Sequence, residues 1–261
     1  MEPNVAQIHA ITMRAAPITL PELAPIALLD RMDTKFIAAE DALCEALADT
    51  IQEYRVLEIN GVRPGRYHTV YFDTERFDMY HAHHNGERMR YKLRCREYLD
   101  SKMTFLEVKQ KNNKERTTKF RIRIEDPITD TSGVDRSWLP PDFPYDLNSV
   151  KPAVWNRFRR ITLASLDRRE RITIDVDIHF GCGNQTVHYP GLAVVEVKQT
   201  KFSLFQSPLA FALHRRHINP TGISKFVVAA ANFHPGFKAN EFKPLLLRLQ
   251  RHFPNVSTRS L

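Results

Sequence analysis

The stretch RMRYKLRCRE, residues 88–97, alternates basic side chains with apolar or weakly polar ones. In a β-strand, side chains two residues apart lie on the same face of the sheet. A strand here therefore has a cationic face, formed by Arg88, Arg90, Lys92, Arg94 and Arg96, and an opposite face formed by Met89, Tyr91, Leu93 and Cys95. Neighbouring cations on the first face are about 7 Å apart. In the folded protein these cations therefore have to face either solvent or an anion.

Four further segments predict strands that are divided in the same way. Their charged faces carry Glu107, Lys109 and Lys111 in 103–111, Lys119, Arg121 and Arg123 in 118–125, Arg171, Thr173, Asp175 and Asp177 in 171–180, and Glu196 and Lys198 in 192–200. Apolar residues alternate with these side chains in every segment. The strand of the opening stretch extends over 88–98, and two more strands are predicted over 66–74 and 153–165.

The remaining segments predict four helices and one long loop. Apolar residues at helical spacing predict helices over 38–54, 224–233 and 241–253. Ser207 followed by Pro208 is typical of a helix start, so another helix begins there. Proline and aspartate are frequent in 126–146, which is predicted as a loop excursion.

The domain organisation predicted from these segments is simple. Residues 1–20 show no clear period and are predicted as an extended N-terminal arm. Residues 21–261 are predicted to form one domain, because they contain no linker, internal repeat or low-complexity tract. No apolar run approaches the length of a membrane span, and the N-terminus lacks the pattern of a secretory signal. We therefore expect a soluble, cytoplasmic protein.

Composition limits the class of partner. The 261 residues include 38 Lys or Arg against 30 Asp or Glu, which gives a formal net charge of +8. This excess favours an anionic partner, which could be a phosphate compound, a nucleic acid or an acidic surface. Cys44, Cys95 and Cys182 are far apart and form no CxxC pair. They are interpreted as reduced packing residues, and neither a disulfide framework nor a zinc site is expected.

The charged faces favour a closed arrangement of the strands. An ordinary antiparallel sheet with one face in solvent would explain any single strand. However, residues 88–123 contain thirteen Lys or Arg against four acidic residues, and like charges opposite one another destabilise a sheet. An α+β fold with a closed or nearly closed antiparallel β-barrel removes this conflict. Its apolar faces point outward to the helices, and its charged faces line a tunnel for a polyanion and a metal ion.

Eight segments, in order along the chain, resemble the motifs of one known family. They are RMDTKF (31–36), YHTVYFDT (67–74), RYKLRCREY (90–98), FLEVKQK (105–111), WNRFRRI (155–161), RITIDVDI (171–178), VVEVKQ (194–199) and SKF (224–226). The family is the VTC domain, the polyphosphate polymerase domain of the vacuolar transporter chaperone complex, which also has stand-alone bacterial members. The resemblance spans roughly residues 25–235. It implies the fold of the triphosphate tunnel metalloenzymes, an antiparallel barrel around a charge-lined tunnel.

The resemblance also implies roles for individual residues. It assigns phosphate contacts in catalysis to Lys35, Arg94, Arg96, Lys109, Arg157 and Lys225, and a divalent metal, Mn²⁺ or Mg²⁺, to Glu196. The alternating faces add Arg90, Lys92, Lys111, Lys119, Arg121 and Lys198 as further phosphate-binding candidates, and Asp175, Asp177 and Glu107 as further candidate metal ligands. The favoured interpretation of Asp175 and Asp177 is that they are carboxylates of the tunnel wall paired with arginines. Where characterised polymerases carry an additional arginine, this chain has His81, His83 and His84.

These residue types suit phosphoryl transfer, which requires positioned phosphates and neutralised charge. Polyphosphate synthesis from ATP is the expected activity. A triphosphate or polyphosphate hydrolase on the same scaffold and a non-catalytic polyphosphate sensor remain alternatives. A nucleic-acid-binding module is less favoured, because Tyr91 and Phe120 lie on the face opposite the cations and could not stack bases beside them. No GxxxxGK[ST] or GxGxxG motif is present, so side chains have to bind the phosphates.

The segment HAHHNG, residues 81–86, allows two interpretations. His81 and His83 would share the face of a strand and could bind a metal ion. The favoured interpretation is that they are polar residues near a hairpin turn at Asn85 and Gly86.

Overall fold

The computed structural model describes residues 3–26, 32–112 and 117–259. Its helices are α1 (Pro3–Thr12), α2 (Leu20–Leu23), α3 (Glu40–Thr50), α4 (Asp78–His84), α5 (Pro208–Arg215), α6 (Lys225–Phe233) and α7 (Lys243–His252). Its strands are β1 (Pro17–Ile18), β2 (Met32–Ala39), β3 (Arg55–Leu57), β4 (Gly65–Thr74), β5 (Arg90–Tyr98), β6 (Met103–Lys111), β7 (Thr117–Ile124), β8 (Val150–Ser165), β9 (Glu170–Cys182), β10 (Gln185–His188), β11 (Leu192–Gln199) and β12 (Val256–Arg259).

The strands form one predominantly antiparallel sheet. Its hydrogen-bonded path runs β7-β6-β5-β4-β8-β9, and β9 pairs along its length with both β10 and β11. Strand β2 pairs with β11 and ends this branch. Strands β1 and β3 form a parallel pair attached to β8. The predicted strands are all present, and the structure adds β1, β2, β3, β10 and β12, which were not predicted.

The sheet curls so that its two ends share one interior. Lys92 on β5 donates to Ser224 Oγ at 2.9 Å, and Lys35 on β2 donates to the backbone carbonyl of the adjacent Ile223 at 3.0 Å, although β5 and β2 lie far apart along the hydrogen-bonded path. The predicted antiparallel barrel with helices on the outside is confirmed in this sense. Among the described residues no backbone ladder joins β7 to β2, so the barrel is open along this side.

The register confirms the predicted division of the faces. Lys92, Lys109 and Lys119 lie directly opposite one another on β5, β6 and β7. The adjacent row of the other face, Leu93, Val108 and Phe120, is apolar. The same apolar cluster, which contains Leu93 and Val108, also buries three side chains from the predicted excursion and the residue that follows it: Leu139, Phe143 and Leu147. Strand β5 begins at Arg90. Arg88 and Met89 were predicted to belong to this strand, but they precede it and are exposed.

Helices α1, α3 and α5 cover the outer face of β8, β9 and β11. Leu43 and Leu47 of α3 are fully buried in one apolar cluster with Ile174, Val195 and Leu213. The prediction of an extended arm over residues 1–20 is wrong, because residues 3–12 form α1. Its Val5, Ile8 and Ile11 recur every three residues and are buried in the same cluster, so burial of this short apolar stripe stabilises a helix.

The segment after β4 is also helical, where a strand and hairpin turn were predicted. The buried Asp73 carboxylate accepts hydrogen bonds from the backbone N–H groups of Met79 and Tyr80, both at 2.9 Å. These bonds satisfy donors that the first turn of a helix leaves without intrahelical partners. Helix α4 therefore forms, and it carries His81, His83 and His84.

None of the helices in the described part of the chain is long and apolar enough to span a membrane. The predicted helices at Pro208–Arg215, Lys225–Phe233 and Lys243–His252 are confirmed. Ser207 accepts a hydrogen bond from the N–H of Ala210, as expected for an N-cap.

A buried polar group joins the sheet to α5. The Tyr54 hydroxyl donates to Glu170 Oε1 at 2.9 Å and accepts from the N–H of Leu209 at 3.1 Å. Gln199 Nε2 donates to Glu170 Oε2 at 2.8 Å. Burial raises the pKa of Glu170, although its hydrogen bonds act in the opposite direction.

We expect Tyr54→Phe to lower the free energy of unfolding by about 1–3 kcal/mol, because it removes the hydrogen bond that Glu170 Oε1 accepts from Tyr54 and leaves the buried Leu209 N–H without the hydroxyl acceptor. Urea denaturation followed by circular dichroism measures this change. Tyr145→Phe is the matched control, since Tyr145 lies half-buried in the 126–146 region. Equal stabilities of the two variants would contradict a structural role for the group.

Candidate functional site

Basic side chains from six strands and one helix converge on the inner face of the sheet. We call this set the basic interior. It consists of Lys35 (β2), Lys92, Arg94 and Arg96 (β5), Lys109 (β6), Lys119 (β7), Arg160 (β8), Lys198 (β11) and Lys225 (α6). Contacts with three carboxylates, Glu107, Asp175 and Glu196, define its geometry.

Glu107 is fully buried between two cations. Arg94 donates to Glu107 Oε2 from Nε at 2.8 Å and from Nη2 at 2.7 Å, and Lys119 contacts Oε1. Burial alone would raise the pKa of Glu107, but Arg94, Arg96 and Lys119 outweigh it and lower the pKa to about 2. The carboxylate is therefore ionised and fixes the position of Arg94.

Asp175 is held by a second pair of cations. Arg160 donates to its two oxygens at 2.6 and 2.8 Å in a bidentate arrangement, and Lys225 contacts Oδ2. Burial opposes ionisation of Asp175, but the charges of Arg160 and Lys225 lower its pKa far below the usual value. Lys225 also lies over the Phe158 ring, 4.7 Å from its centroid.

Glu196 has a more open environment than the other two carboxylates. Its side chain keeps 17% exposure and contacts Lys198, while Lys35 Nζ lies 3.9 Å from Oε1. Thr173 Oγ1 donates to Oε2 at 3.5 Å. Burial alone would raise the pKa of Glu196, but Lys198, Lys35 and Lys109 hold it well below the usual value.

Lys92, Arg96 and Lys109 contact no carboxylate within the described part of the chain. Lys92 Nζ donates to Ser224 Oγ at 2.9 Å, and Arg96 Nε donates to Thr69 Oγ1 at 3.1 Å. Burial and the neighbouring cations lower the pKa of Lys92 well below its usual value, and burial and Arg94 lower that of Lys109 to about 7. The charged forms of these groups are desolvated and make no direct contact with a carboxylate among the described residues, so their ionisation is costly unless an anion is bound.

The N-terminus of α6 lies at the same place. Ser224 is the N-cap and accepts from the N–H of Val227, while its hydroxyl also accepts from Lys92. The N-terminus of a helix carries a partial positive charge and favours anions. The helix therefore adds to the positive potential of the basic interior.

Helix α4 brings His83 to the same region. Burial and the cations Lys92, Arg90, Lys35 and Lys111 lower the pKa of His83 to about 2. The imidazole is therefore neutral at physiological pH.

Two residues predicted for the interior lie elsewhere. Arg157 is exposed and packs over the Trp155 ring, 5.2 Å from its centroid. Asp177 contacts Arg159 and His179 instead of the basic interior. The physical reason is a β-bulge, since the pairing of β8 with β9 shifts between Arg157 and Arg159.

Arg160 is an interior cation that was not predicted. Strict alternation from Arg157 would place Arg160 on the opposite face, and alternation alone cannot reveal the bulge. The RFRR run of residues 157–160 contains the necessary arginine, but the pattern does not show which one faces inward. Of the other predicted phosphate ligands, Arg90 and Lys111 lie opposite each other at the strand ends, and Arg121 is exposed over the Phe105 ring.

The three interior carboxylates differ in their suitability for a divalent metal. Both oxygens of Glu107 and of Asp175 are held by cations. Glu196 is the better candidate, because a Mg²⁺ ion commonly takes one or two carboxylates and completes its shell with water and substrate phosphates. No group of three potential His, Cys, Asp or Glu ligands occurs in the described portion of the interior.

Comparisons with known proteins give a family and several distant structures. The model of the VTC domain family matches residues 30–132 and 145–234. A candidate adenylate cyclase from Vibrio parahaemolyticus is 12% identical, with a TM-score of 0.43, over 75% of this chain and 95% of that one. A candidate adenylate cyclase from Bacillus halodurans is 11% identical, with a TM-score of 0.46, over 76% and 96%.

A third solved structure is 15% identical and comes from Hippeastrum. It is a candidate adenylyl cyclase that is described as having a dominant triphosphatase activity. Its TM-score is 0.46, and the match covers 80% of this chain and 99% of that one. No curated protein matches the chain significantly.

The residues that the family model matches contain the whole basic interior, from Lys35 on β2 to Lys225 on α6. The gap in the match, residues 133–144, falls within the predicted excursion over 126–146. The matched ranges make up well over half of the chain, and the resemblance inferred from its motifs is confirmed. The chain belongs to the VTC domain family.

Proposed function

We propose that the basic interior binds a chain of linked phosphates and that the protein transfers phosphoryl groups. Tripolyphosphate, polyphosphate and the triphosphate of ATP are the ligands of this chemistry. The observation that carries the proposal is the absence of a carboxylate contact for Lys92, Arg96 and Lys109 in the described part of the chain, although these cations lie together inside the sheet.

Electrostatics explains why such an arrangement favours a polyanion. Lys92, Lys109 and Lys119 are directly opposed on three adjacent strands, and opposed like charges destabilise a sheet. Phosphate oxygens between them would replace this repulsion by attraction. Arginines bind phosphate oxygens in a bidentate manner and lysines bind them as point charges.

Polyphosphate synthesis from ATP is the specific reaction that family membership favours. The terminal oxygen of a phosphate chain attacks the γ-phosphorus of ATP, the bond from that phosphorus to the β,γ-bridging oxygen breaks, and ADP leaves. Arg96, Lys92 and Lys109 neutralise charge on the phosphate oxygens, and Arg94 is held in place by Glu107. Mn²⁺ or Mg²⁺ at Glu196 would supply further charge neutralisation at the transferring group.

A binding-only role is the second candidate. Each interior carboxylate, including Glu196, contacts at least one cation. A phosphate chain could therefore be held by the remaining cations with no metal at Glu196, as in a sensor.

We expect tripolyphosphate to raise the melting temperature, because a ligand of the native state stabilises it by mass action. Arg96→Gln should weaken tripolyphosphate binding about 10- to 100-fold, since a hydrogen bond to a charged group contributes about 1.5–3 kcal/mol. Isothermal titration calorimetry at constant ionic strength measures both affinities.

Arg157→Gln is the matched control for this experiment. It removes the same charge from the outer face of the sheet, so its affinity should equal that of the wild type. The proposal is contradicted if tripolyphosphate leaves the wild-type melting temperature unchanged, or if both arginine variants weaken binding equally.

Glu196→Gln separates transfer from binding. The substitution keeps the size of the side chain but removes the charge that a divalent ion requires. We expect the rate of phosphoryl transfer from ATP with Mn²⁺ to fall at least about 100-fold, because metal stabilisation of the transferring group contributes several kcal/mol. Tripolyphosphate affinity without metal should be kept or increased, because an acidic neighbour is removed.

Glu97→Gln on the outer face provides the matched control. ADP and polyphosphate are measured together, so that synthesis, hydrolysis and inactivity are distinguished. Equal transfer by wild type and Glu196→Gln would place the metal elsewhere. A wild type that binds tripolyphosphate tightly but produces neither ADP nor free phosphate would establish the binding-only role.

A further inference from the structure

A second group of titratable side chains lies on the outer face of the sheet. Asp177 and His179 belong to β9, and His188 belongs to the neighbouring β10. His179 is directly opposite His188 on one side and directly opposite the exposed Arg157 on the other. Because directly opposed residues share a face, this group is separated from the basic interior by the sheet itself.

The distances within the group suit a single small cation. His179 Nε2 lies 2.9 Å from Asp177 Oδ1, and His188 Nε2 lies 3.9 Å from the same oxygen. The two imidazole rings stack with centroids 4.0 Å apart and an interplanar angle of 7°. Ligand atoms of a tetrahedral zinc ion, at bonds of about 2.0–2.1 Å, are about 3.4 Å apart. The possible ligand atoms of all three residues already lie within 4.8 Å of one another, and a bound ion would draw them closer together.

The backbone and a neighbouring arginine direct the carboxylate toward the histidines. Asp177 has φ of 53°, in the left-handed region, at the point where the pairing of β8 with β9 is irregular. Such a conformation is uncommon for a residue other than glycine and often occurs at functional sites. Arg159 Nε donates to Asp177 Oδ2 at 3.2 Å, which leaves Oδ1 facing both imidazoles. Carboxylates that bind metals are commonly oriented by a hydrogen bond of this kind.

We propose that Asp177, His179 and His188 bind a divalent transition-metal ion, most favourably Zn²⁺, on the outer face of the sheet. Two imidazoles and one carboxylate are a donor set for zinc, whereas Mg²⁺ and Ca²⁺ prefer oxygen ligands. Three protein ligands leave one tetrahedral position for water or an exogenous ligand. Asp177 and His179 also line a cavity of about 310 Å³ whose wall includes Arg66, Trp155 and Arg157, so that position is accessible from solvent.

Zn²⁺ titrated into the full-length wild-type protein by calorimetry, at neutral pH with a non-thiol reductant, should show one saturable site. The double variant His179→Gln, His188→Gln should weaken this site by more than about 100-fold, because changes in outer-shell partners alone cost 10- to 100-fold. With Co²⁺ as the probe, the wild type should give a visible spectrum of nitrogen and oxygen ligation without thiolate charge transfer. Thermal unfolding of the metal-free double variant checks that it is folded.

Three controls assign the site. His68→Gln changes another outer-face histidine, which contacts Glu97, and should leave Zn²⁺ affinity unchanged. Cys182→Ser, on the same strand, should also leave it unchanged. Arg96→Gln should weaken tripolyphosphate binding but leave Zn²⁺ binding unchanged. This result would show that the outer site can be tested independently of the proposed function. The proposal is overturned if the wild type shows no saturable Zn²⁺ binding, if the folded double variant binds like the wild type, or if Cys182→Ser abolishes binding.

Discussion

Repulsion among cations inside the sheet is the constraint on which the interior depends. Carboxylates offset part of this repulsion, since Glu107 binds Arg94 and Lys119, and Asp175 binds Arg160 and Lys225. Each carboxylate is fully or almost fully buried and stays ionised because its pKa is lowered. Lys35 and Lys198 are close to Glu196, whereas Lys92, Arg96 and Lys109 contact no carboxylate among the described residues. A native protein retains such a cost where function requires it.

The carboxylates also order the cations along the strands. Arg94 is fixed by two hydrogen bonds, whereas Lys92 and Lys109 make no contact with an acidic side chain in the described residues. Arg94 is therefore held in a fixed position, whereas Lys92 and Lys109 can exchange their present contacts for phosphate oxygens. The N-terminus of α6 adds a fixed dipole at Ser224, next to Lys92. Rigid donors of this kind need little reorganisation when the ligand binds.

Period-two alternation was sufficient to predict most of this arrangement. It placed Lys92, Arg94 and Arg96 on one face, because a regular strand has no other way to orient them. It failed at residues 157–160, where a bulge reverses the faces and makes Arg160 the interior residue in place of Arg157. It also failed at α4, where the Asp73 carboxylate accepts from the backbone N–H groups of Met79 and Tyr80 and caps a helix in a histidine-rich segment. The pairing of β2 with β11 is a long-range contact that local patterns cannot reveal.

The most direct test of this account is the titration of Lys109 by NMR, with selectively labelled lysine side chains and assignment through the signal lost in Lys109→Met. The account predicts a pKa of about 7 in the free protein, far below the usual lysine value of about 10.4. Saturating tripolyphosphate should raise it toward that value, because a nearby anion favours the charged form. A lysine that titrates near 10 in the free protein, or whose pKa does not move when tripolyphosphate is added, would contradict a desolvated interior held for phosphate.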